Sequence, residues 1–349
     1  MISNALEVFL LRMENLQSYI EGDIFIESSL NSSIRSEGAN TDVVRHALNH
    51  LRSYGDLHYA AKIMSLYGYL ERYIEDVINE YVDCLEMNLD GFCYCGIPNY
   101  DKLVFAAGSK LNTHFKFNTL DSVVLIESLQ KSIKEGTVRI VPDVFYSTSG
   151  NYNIQIIEDC FKRLGMNSFM KELWRWEPLN SYLKEKYQTG SFEHEKTENL
   201  YQEINDIVLR RNDIAHGKEI TDRLSDAIIL ERMNFVTNFI KALNDKLDSY
   251  LLSLVWKRHN NKYSPSKMRP NKKVVEMENV GKIFITKGSS ILVKRKSKGI
   301  ERYGYAIIKD IKSEKGKQLT QVRSNGEKLR SFSIKLDTTV SDIKELCFD

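Results

Sequence analysis

Near residue 257 the apolar residues change their period, and that change divides the chain into two regions of different secondary structure. Up to Trp256 they recur at steps of three and four, most regularly at Ile229, Met233, Val236, Ile240, Leu243, Leu247, Leu251 and Leu254. Such spacing lines one face of a helix. Beyond residue 278 the period is two. Short runs at Lys282–Thr286, Ile291–Lys296, Tyr303–Asp310, Leu319–Arg323 and Ser331–Leu336 alternate apolar with polar residues. Lys287-Gly288, Ser297-Lys298-Gly299, Lys315-Gly316 and Asn325-Gly326 supply turns between them. Five or six short strands in about 70 residues are most economically arranged as a closed barrel, since closure removes exposed edges. Between the two regions, residues 257–273 hold seven Lys and Arg, two Pro and no acid, which reads as an exposed linker. The expected architecture is mainly α: a helical bundle over residues 1–256, a basic linker over 257–277 and a small all-β barrel over 278–349.

Within the helical region the spacing predicts helices over Thr41–Ser53, Leu57–Leu89, Leu120–Glu135, Asn153–Leu164, Glu198–His216, and from Thr221 or Asp222 to Trp256. Residues 90–121 read as loop with one or two short helices, Val138–Tyr146 as a short extended piece, and Ser149-Gly150-Asn151 as a turn. At 349 residues there is room for about two domains. A 42% hydrophobic and 28% charged composition with 18 Gly and 5 Pro excludes collagen-like and wholly disordered chains. No run reaches the ~18 consecutive apolar residues of a membrane helix. Glu7 and Arg12 interrupt the first helical pattern, which lacks the layout of a signal peptide, so a cytoplasmic, membrane-free protein is expected. Five scattered Cys form no disulfide framework. Cys93-Tyr-Cys95 has no second pair to complete a zinc site, and His46 with His50 lacks a third ligand, so no metal is expected.

Charge separates the two regions. Residues 257–349 hold 23 Lys and Arg against 10 Asp and Glu, a surplus of +13, while the rest of the chain is at −11. An acidic body joined to a basic tail points to a polyanionic partner. In the tail, Lys294, Arg295, Lys296, Lys298 and Arg302 gather near Tyr303 and Tyr305, a mixture suited to phosphates and stacked bases. The alternative is a basic but inert barrel.

The residues best suited to chemistry are Arg211-Asn212-Asp213-Ile214-Ala215-His216-Gly217, at the end of a predicted helix. At about 100° per residue, Asn212 and His216 share a face and Arg211 lies about 140° from His216, within reach of the helix end through its long side chain. An imidazole exchanges a proton near neutral pH, and a guanidinium grips phosphate. The plainer reading is a helix-terminal His beside the dipole, with Arg211 paired to Asp206 or Glu203. Trp174-Arg-Trp176 can stack bases but is more simply packing.

The stretch Ile207–Gly217, IVLRRNDIAHG, resembles the R-x4–6-H signature of the HEPN family of helical nucleases, with Asn212 at the polar position after the Arg. YGYLERYIEDVINEYV (67–82) and NYNIQIIEDCFKRLG (151–165) extend the resemblance to the RiboL-PSP-like branch, over most of residues 45–256. It implies a metal-independent endoribonuclease without cofactor, acting as a two-fold homodimer whose Arg211 and His216 share one cleft. The ribose 2′-OH would attack the phosphate to leave a 2′,3′-cyclic phosphate. His216 would move protons, Arg211 would stabilise the phosphorane, and Asn212 and Asp213 would position RNA or His216. Glu71 or Glu75 would be the acid often found opposite the motif. Such enzymes serve in antiphage defence or as toxins neutralised by a partner protein. Where toxins controlled by a nucleotidyltransferase carry Tyr two residues after the His, this chain has Lys218, so that control is not expected. The alternative is a catalytically silent HEPN subunit that binds nucleic acid or scaffolds a defence complex. The tail loosely resembles the second-domain barrel of elongation-factor GTPases, through ENVGKIFITKGSSILVKR (278–295), YGYAIIKDIKSEKGKQLTQV (303–322) and SFSIKLDTTVSDIKELC (331–347); this implies no catalytic residue.

Overall fold

The computed structural model describes residues 2–35, 41–88, 99–110, 121–135, 140–146, 151–189, 191–280, 283–297, 299–324 and 329–348. The chain divides into two compact units, Met1–Asp245 and Lys246–Asp349. The first is helical: α1 (Asn4–Arg35), α2 (Thr41–Ser53), α3 (Gly55–Asn88), α4 (Tyr100–Lys110), α5 (Ser122–Glu135), α6 (Asp143–Tyr146), α7 (Ile154–Arg163), α8 (Phe169–Leu173), α9 (Leu179–Tyr187), α10 (Thr197–Leu200) and α11 (Gln202–Ala215). The last helix, α12 (Asp226–Arg258), begins in the first unit and runs into the second.

The apolar stripes do what their spacing predicts. Ile63, Leu66, Leu70, Ile74, Val77, Ile78 and Tyr81 of α3 are all buried, as are Ile229, Val236, Ile240 and Leu243 of α12. Helix α3 packs on both α1 and α11. Glu80 of α3 caps the start of α1, its carboxylate accepting the backbone N–H groups of Ser3, Asn4 and Ala5 at 2.7, 3.1 and 2.9 Å. These are donors the first helical turn cannot satisfy itself. Trp174 and Trp176 are buried, with Trp174 edge-on to Phe192, so this pair is packing.

Three local expectations are corrected. The run over Glu198–His216 is two helices, broken at Tyr201, whose ring is wholly buried and whose hydroxyl donates to the Met170 carbonyl at 3.0 Å. Within Val138–Tyr146, residues 143–146 are helical rather than extended, because the chain turns at Pro142, whose carbonyl accepts the Phe145 N–H at 3.0 Å. Helix α12 starts at Asp226 behind Ser225, whose hydroxyl faces the Ile228 N–H at 3.4 Å. Thr221 and Asp222 therefore do not cap it. Cys93, Cys95, Gly150 and most of the predicted 90–121 loop lie outside the described residues.

The second unit holds β1 (Lys262–Tyr263), β2 (Lys267–Arg269), β3 (Val274–Val280), β4 (Ile283–Thr286), β5 (Ser290–Ser297), β6 (Ile300–Ser313), β7 (Gln318–Leu319), β8 (Gln321–Ser324), β9 (Leu329–Leu336) and β10 (Ile343–Cys347). They form a curled antiparallel sheet, a half-barrel ordered β1-β10-β5-β6-β9-β3-β2, with β7 on β6 and a separate β4–β8 pair. Strand β6 pairs first with β5 and then, past a register shift near Ile308, with β9. Val275, Met277, Val293, Ile308, Ile311 and Ile334 are fully buried in its core. Leu252 and Trp256 of α12 pack with Leu292 and Cys347 in a smaller cluster.

The sheet is open, not closed, and the predicted linker over 257–277 contributes β1, β2 and the start of β3 to it. β1 pairs with β10, β2 with β3, and β3 with β9. Three of the seven cations of residues 257–273, Lys262, Lys267 and Arg269, are exposed on the short edge strands β1 and β2. Short, charged edges resist pairing with other chains. Composition alone does not separate such an edge from a linker, because both are polar and solvent-facing.

Candidate functional site

Helix α11 ends in a local stop that fixes the histidine. The His216 N–H donates to Asn212 O at 3.0 Å, Gly217 N–H to Ile214 O at 3.0 Å and Lys218 N–H to Asp213 O at 3.0 Å. Gly217 adopts φ +67°, the left-handed conformation this closure requires. This is a Schellman arrangement with His216 as the C-cap. His216 is exposed, and its side chain makes no hydrogen bond or ion pair among the described residues.

Arg211, one turn earlier, is held differently. Its guanidinium carbon stands 5.0 Å above the ring centroid of Tyr67, on α3. One terminal nitrogen donates to Asn212 Oδ1 at 3.3 Å. Its Nε is buried without a hydrogen-bond partner. Stacking rather than hydrogen bonding therefore places the charge, an interaction worth about 0.5–2 kcal/mol.

Asn212 Oδ1 also accepts the side-chain amide of Asn151, which lies just before α7. Two turns back on α11, Asn205 Oδ1 accepts the Ile154 N–H at 3.1 Å, while Asn153 caps α7 through the Ile156 N–H at 2.9 Å. The asparagines of α11 thus anchor the start of α7 beside the motif. Tyr67 completes the group. Its hydroxyl accepts the Tyr152 N–H at 3.1 Å and lies 3.5 Å from Asn151 Oδ1. Burial, then the charge of Glu71, push the Tyr67 pKa up, so the phenol keeps its proton.

The two arginines of IVLRRNDIAHG have separate tasks. Arg210 donates to Asp206 and Asp222 at 3.0 Å, to the Tyr59 hydroxyl at 3.0 Å and to the Asp222 carbonyl at 2.7 Å. Burial opposes its charge, but the bonds to Tyr59 and Asp222 outweigh that and raise its pKa. It is Arg210, not Arg211, that pairs with Asp206. Glu203 is fully buried against Lys186 and Arg232.

Of the predicted motif residues, Arg211 and Asn212 are brought together and His216 stands at the helix end nearby. Asp213 is exposed, paired with Lys218, and lines a groove of about 210 Å³ with Tyr59, Arg210 and Asp222. It is turned from Asn212 by the helix's step of about 100°. Of the two candidate acids, Glu71 lies against Tyr67, whereas Glu75 faces Tyr152 and Arg72. Tyr67 and Asn151 were not singled out by their sequence. Tyr67 sits inside the buried period of α3, and Asn151 looks like any turn residue.

The predicted RNA-binding set is mostly committed elsewhere. Lys294 pairs with Glu301 at 3.2 Å and Glu345 at 3.5 Å. Arg295 binds Asp342 at 2.8 Å, Thr338 Oγ1 at 2.8 Å and the Thr339 carbonyl at 2.7 Å. Tyr303 packs 5.8 Å from Trp256 and donates its hydroxyl to Glu301 at 3.1 Å. Arg302 is half-buried, and Lys296 is exposed. The cations were visible in the sequence. Of the acids that neutralise them, Glu301 is seven residues from Lys294, but Glu345 of β10 and Asp342 are more than forty residues from the cations they pair with.

Among the described residues, no three His, Cys, Asp or Glu side chains group to hold a metal, and no helix is long and apolar enough to cross a membrane. The model of the family described as RiboL-PSP-HEPN matches residues 24–249 of this chain, a span that includes the whole constellation around Arg211. Neither curated proteins nor solved structures provide a match.

Proposed function

The chain belongs to the RiboL-PSP-HEPN family, and from that premise we propose that it is an endoribonuclease that cuts RNA by attack of the ribose 2′-OH on the adjacent phosphate. The observation that carries this reading is the pairing of a stacked, incompletely bonded Arg211 with a solvent-facing His216 on one helix end. His216 takes the 2′-OH proton or delivers one to the leaving 5′ oxygen, a transfer suited to an imidazole. Arg211 and the Asn212 amide stabilise the extra negative charge on the phosphorane. The products are a 2′,3′-cyclic phosphate and a 5′-OH. Side chains supply every role in this scheme, so the reaction proceeds in a chelator.

Because Arg211 and His216 leave α11 about 140° apart, the reading includes a homodimer in which each copy completes the other's cleft. The surplus of cations in the tail supports a role in drawing RNA to the enzyme, through exposed residues such as Lys296 rather than through Arg295 or Lys294. A cytoplasmic enzyme of defence or toxin type, restrained by a partner protein, is the setting that fits best.

Incubating wild type and His216→Ala with total RNA in EDTA, followed by analysis of the new ends, tests the reaction. Cyclic-phosphate ends made only by wild type are expected. RNA binding without cleavage by either protein would refute the enzyme and favour a silent HEPN subunit.

A further inference from the structure

The hydrogen bonds around Arg211 form a chain in which each amide has only one possible orientation. A guanidinium carries donors and no acceptor, so the atom of Asn212 that faces Arg211 at 3.3 Å must be its oxygen. That oxygen is also approached by Asn151, which must therefore present its N–H₂ group. The Asn151 oxygen is then left toward the Tyr67 hydroxyl, 3.5 Å away, whose retained proton it shares with the Glu71 carboxylate. Tyr67 is itself fixed by the Tyr152 N–H and by burial to 2% exposure. Three separate elements, α3, the approach to α7, and α11, meet in this chain. At its end the Asn212 N–H₂ has no partner among the described residues and carries two donors.

We propose that Asn151 and Tyr67 are positioning residues for the reaction: Asn151 turns the Asn212 amide so that its N–H₂ group, not its oxygen, meets the scissile phosphate, and the Tyr67 ring seats Arg211 beside it. The inference rests on the nuclease reading above. It adds that the phosphate is met by two adjacent donors, a guanidinium and an amide, whose direction is set by residues that touch neither RNA nor His216. An amide turned the other way would point a carbonyl oxygen at a phosphate that is gaining negative charge. Preorganised donors contribute to catalysis because they need no reorientation as charge develops.

The discriminating variant is Asn151→Asp, which keeps the size of the side chain but replaces its donor with an acceptor. The introduced carboxylate repels the Asn212 oxygen and favours the reversed amide. On a defined single-stranded oligoribonucleotide that wild type cuts, kcat is expected to fall about 10- to 100-fold, less than the roughly 100- to 1,000-fold for outright loss of one oriented donor because the amide is misdirected rather than removed, with KM little changed. Asn151→Ala is expected to fall less, because it leaves the Asn212 amide oriented by Arg211 alone rather than reversed. Tyr67→Phe keeps the ring under Arg211 and is expected to lose only a few-fold. The decisive readout is a double-mutant cycle with Asn212→Ala. If Asn151 acts through Asn212, Asn151→Asp costs nothing further once Asn212 is gone. Full additivity, or wild-type kcat in Asn151→Asp, overturns the proposal. Equal melting temperatures for Asn151→Ala and wild type, with kcat still reduced, support it over a purely structural role. His216→Ala, run beside these, separates the two levels. Cleavage that is lost in His216→Ala but unchanged in Asn151→Asp sinks the positioning role alone, whereas absence of cleavage by wild type sinks both.

Discussion

Arg210 and Arg211 are adjacent and chemically identical, so replacing each in turn with Ala measures what the fold makes of them. Arg210 makes four charge-assisted contacts, and its side chain is 18% exposed. Their worth is uneven. Asp222 is 82% exposed, so its ion pair adds little, at most about 1 kcal/mol. The Asp222 carbonyl and the buried Tyr59 hydroxyl lose a charged donor, at about 1 kcal/mol or more each. Asp206 keeps Arg232 at 3.6 Å as a second cation. The sum is about 3 kcal/mol for Arg210→Ala, or about 6–12 °C in the melting temperature of a unit this size. Arg211→Ala removes one stacking contact at 5.0 Å and one 3.3 Å hydrogen bond, but also a buried Nε that had no partner. Its net cost is about 1 kcal/mol or less. Activity runs the opposite way, with Arg211→Ala losing about 10³-fold in kcat and the folded fraction of Arg210→Ala still cutting. Thermal denaturation and oligoribonucleotide cleavage on the same two preparations make the comparison. Equal destabilisation, or a larger loss in Arg211→Ala, would refute the division of labour.

Other outcomes follow from single features. Gly217→Ala has open space for its Cβ but must hold φ +67°, so it should lose about 1 kcal/mol in denaturant titration, and Gly217→Asn less. Burial alone would raise the pKa of Asp23, but hydrogen bonds from Lys62 and His58 outweigh it and hold the carboxyl below its ordinary 3.8. Its contribution to stability is therefore complete above that value and is lost as pH falls through the lower, folded one. Acid titration of wild type should show this loss, and Asp23→Asn should lack it. In the tail, Arg295→Ala should lower the stability of the sheet by about 2 kcal/mol, since it frees the 338–342 segment. Lys296→Ala should instead weaken RNA binding and reduce its salt slope by about one. Filter binding at several salt concentrations distinguishes these two.

The long helices were legible because each has a single buried stripe at fixed spacing; Ile63 to Tyr81 is the clearest case. The end of the helix that carries Arg211 and His216 was legible because Gly217 lies just beyond it. What could not be read has a common physical origin in partners that are remote in sequence. The neutralisation of Arg295 by Asp342, the use of Asp222 by Arg210 rather than as a helix cap, and the contact of Asn151 with Asn212 all join residues brought together only by folding. Local pattern also fails where two environments share a composition. The basic residues of 257–277 suit a sheet edge as well as a linker, and the alternation in the tail suits an open half-barrel as well as a closed one.

The stop at the end of α11 is written within seven residues, from Asn212 to Lys218, and its three backbone hydrogen bonds all fall within them. The height of the imidazole along the helix is therefore independent of the segment that follows. Changes in length within Glu219–Thr221 can be absorbed there without sliding His216 relative to Arg211. The loop, and with it whatever the loop meets, can change while the distance along the axis between guanidinium and imidazole stays set by local geometry.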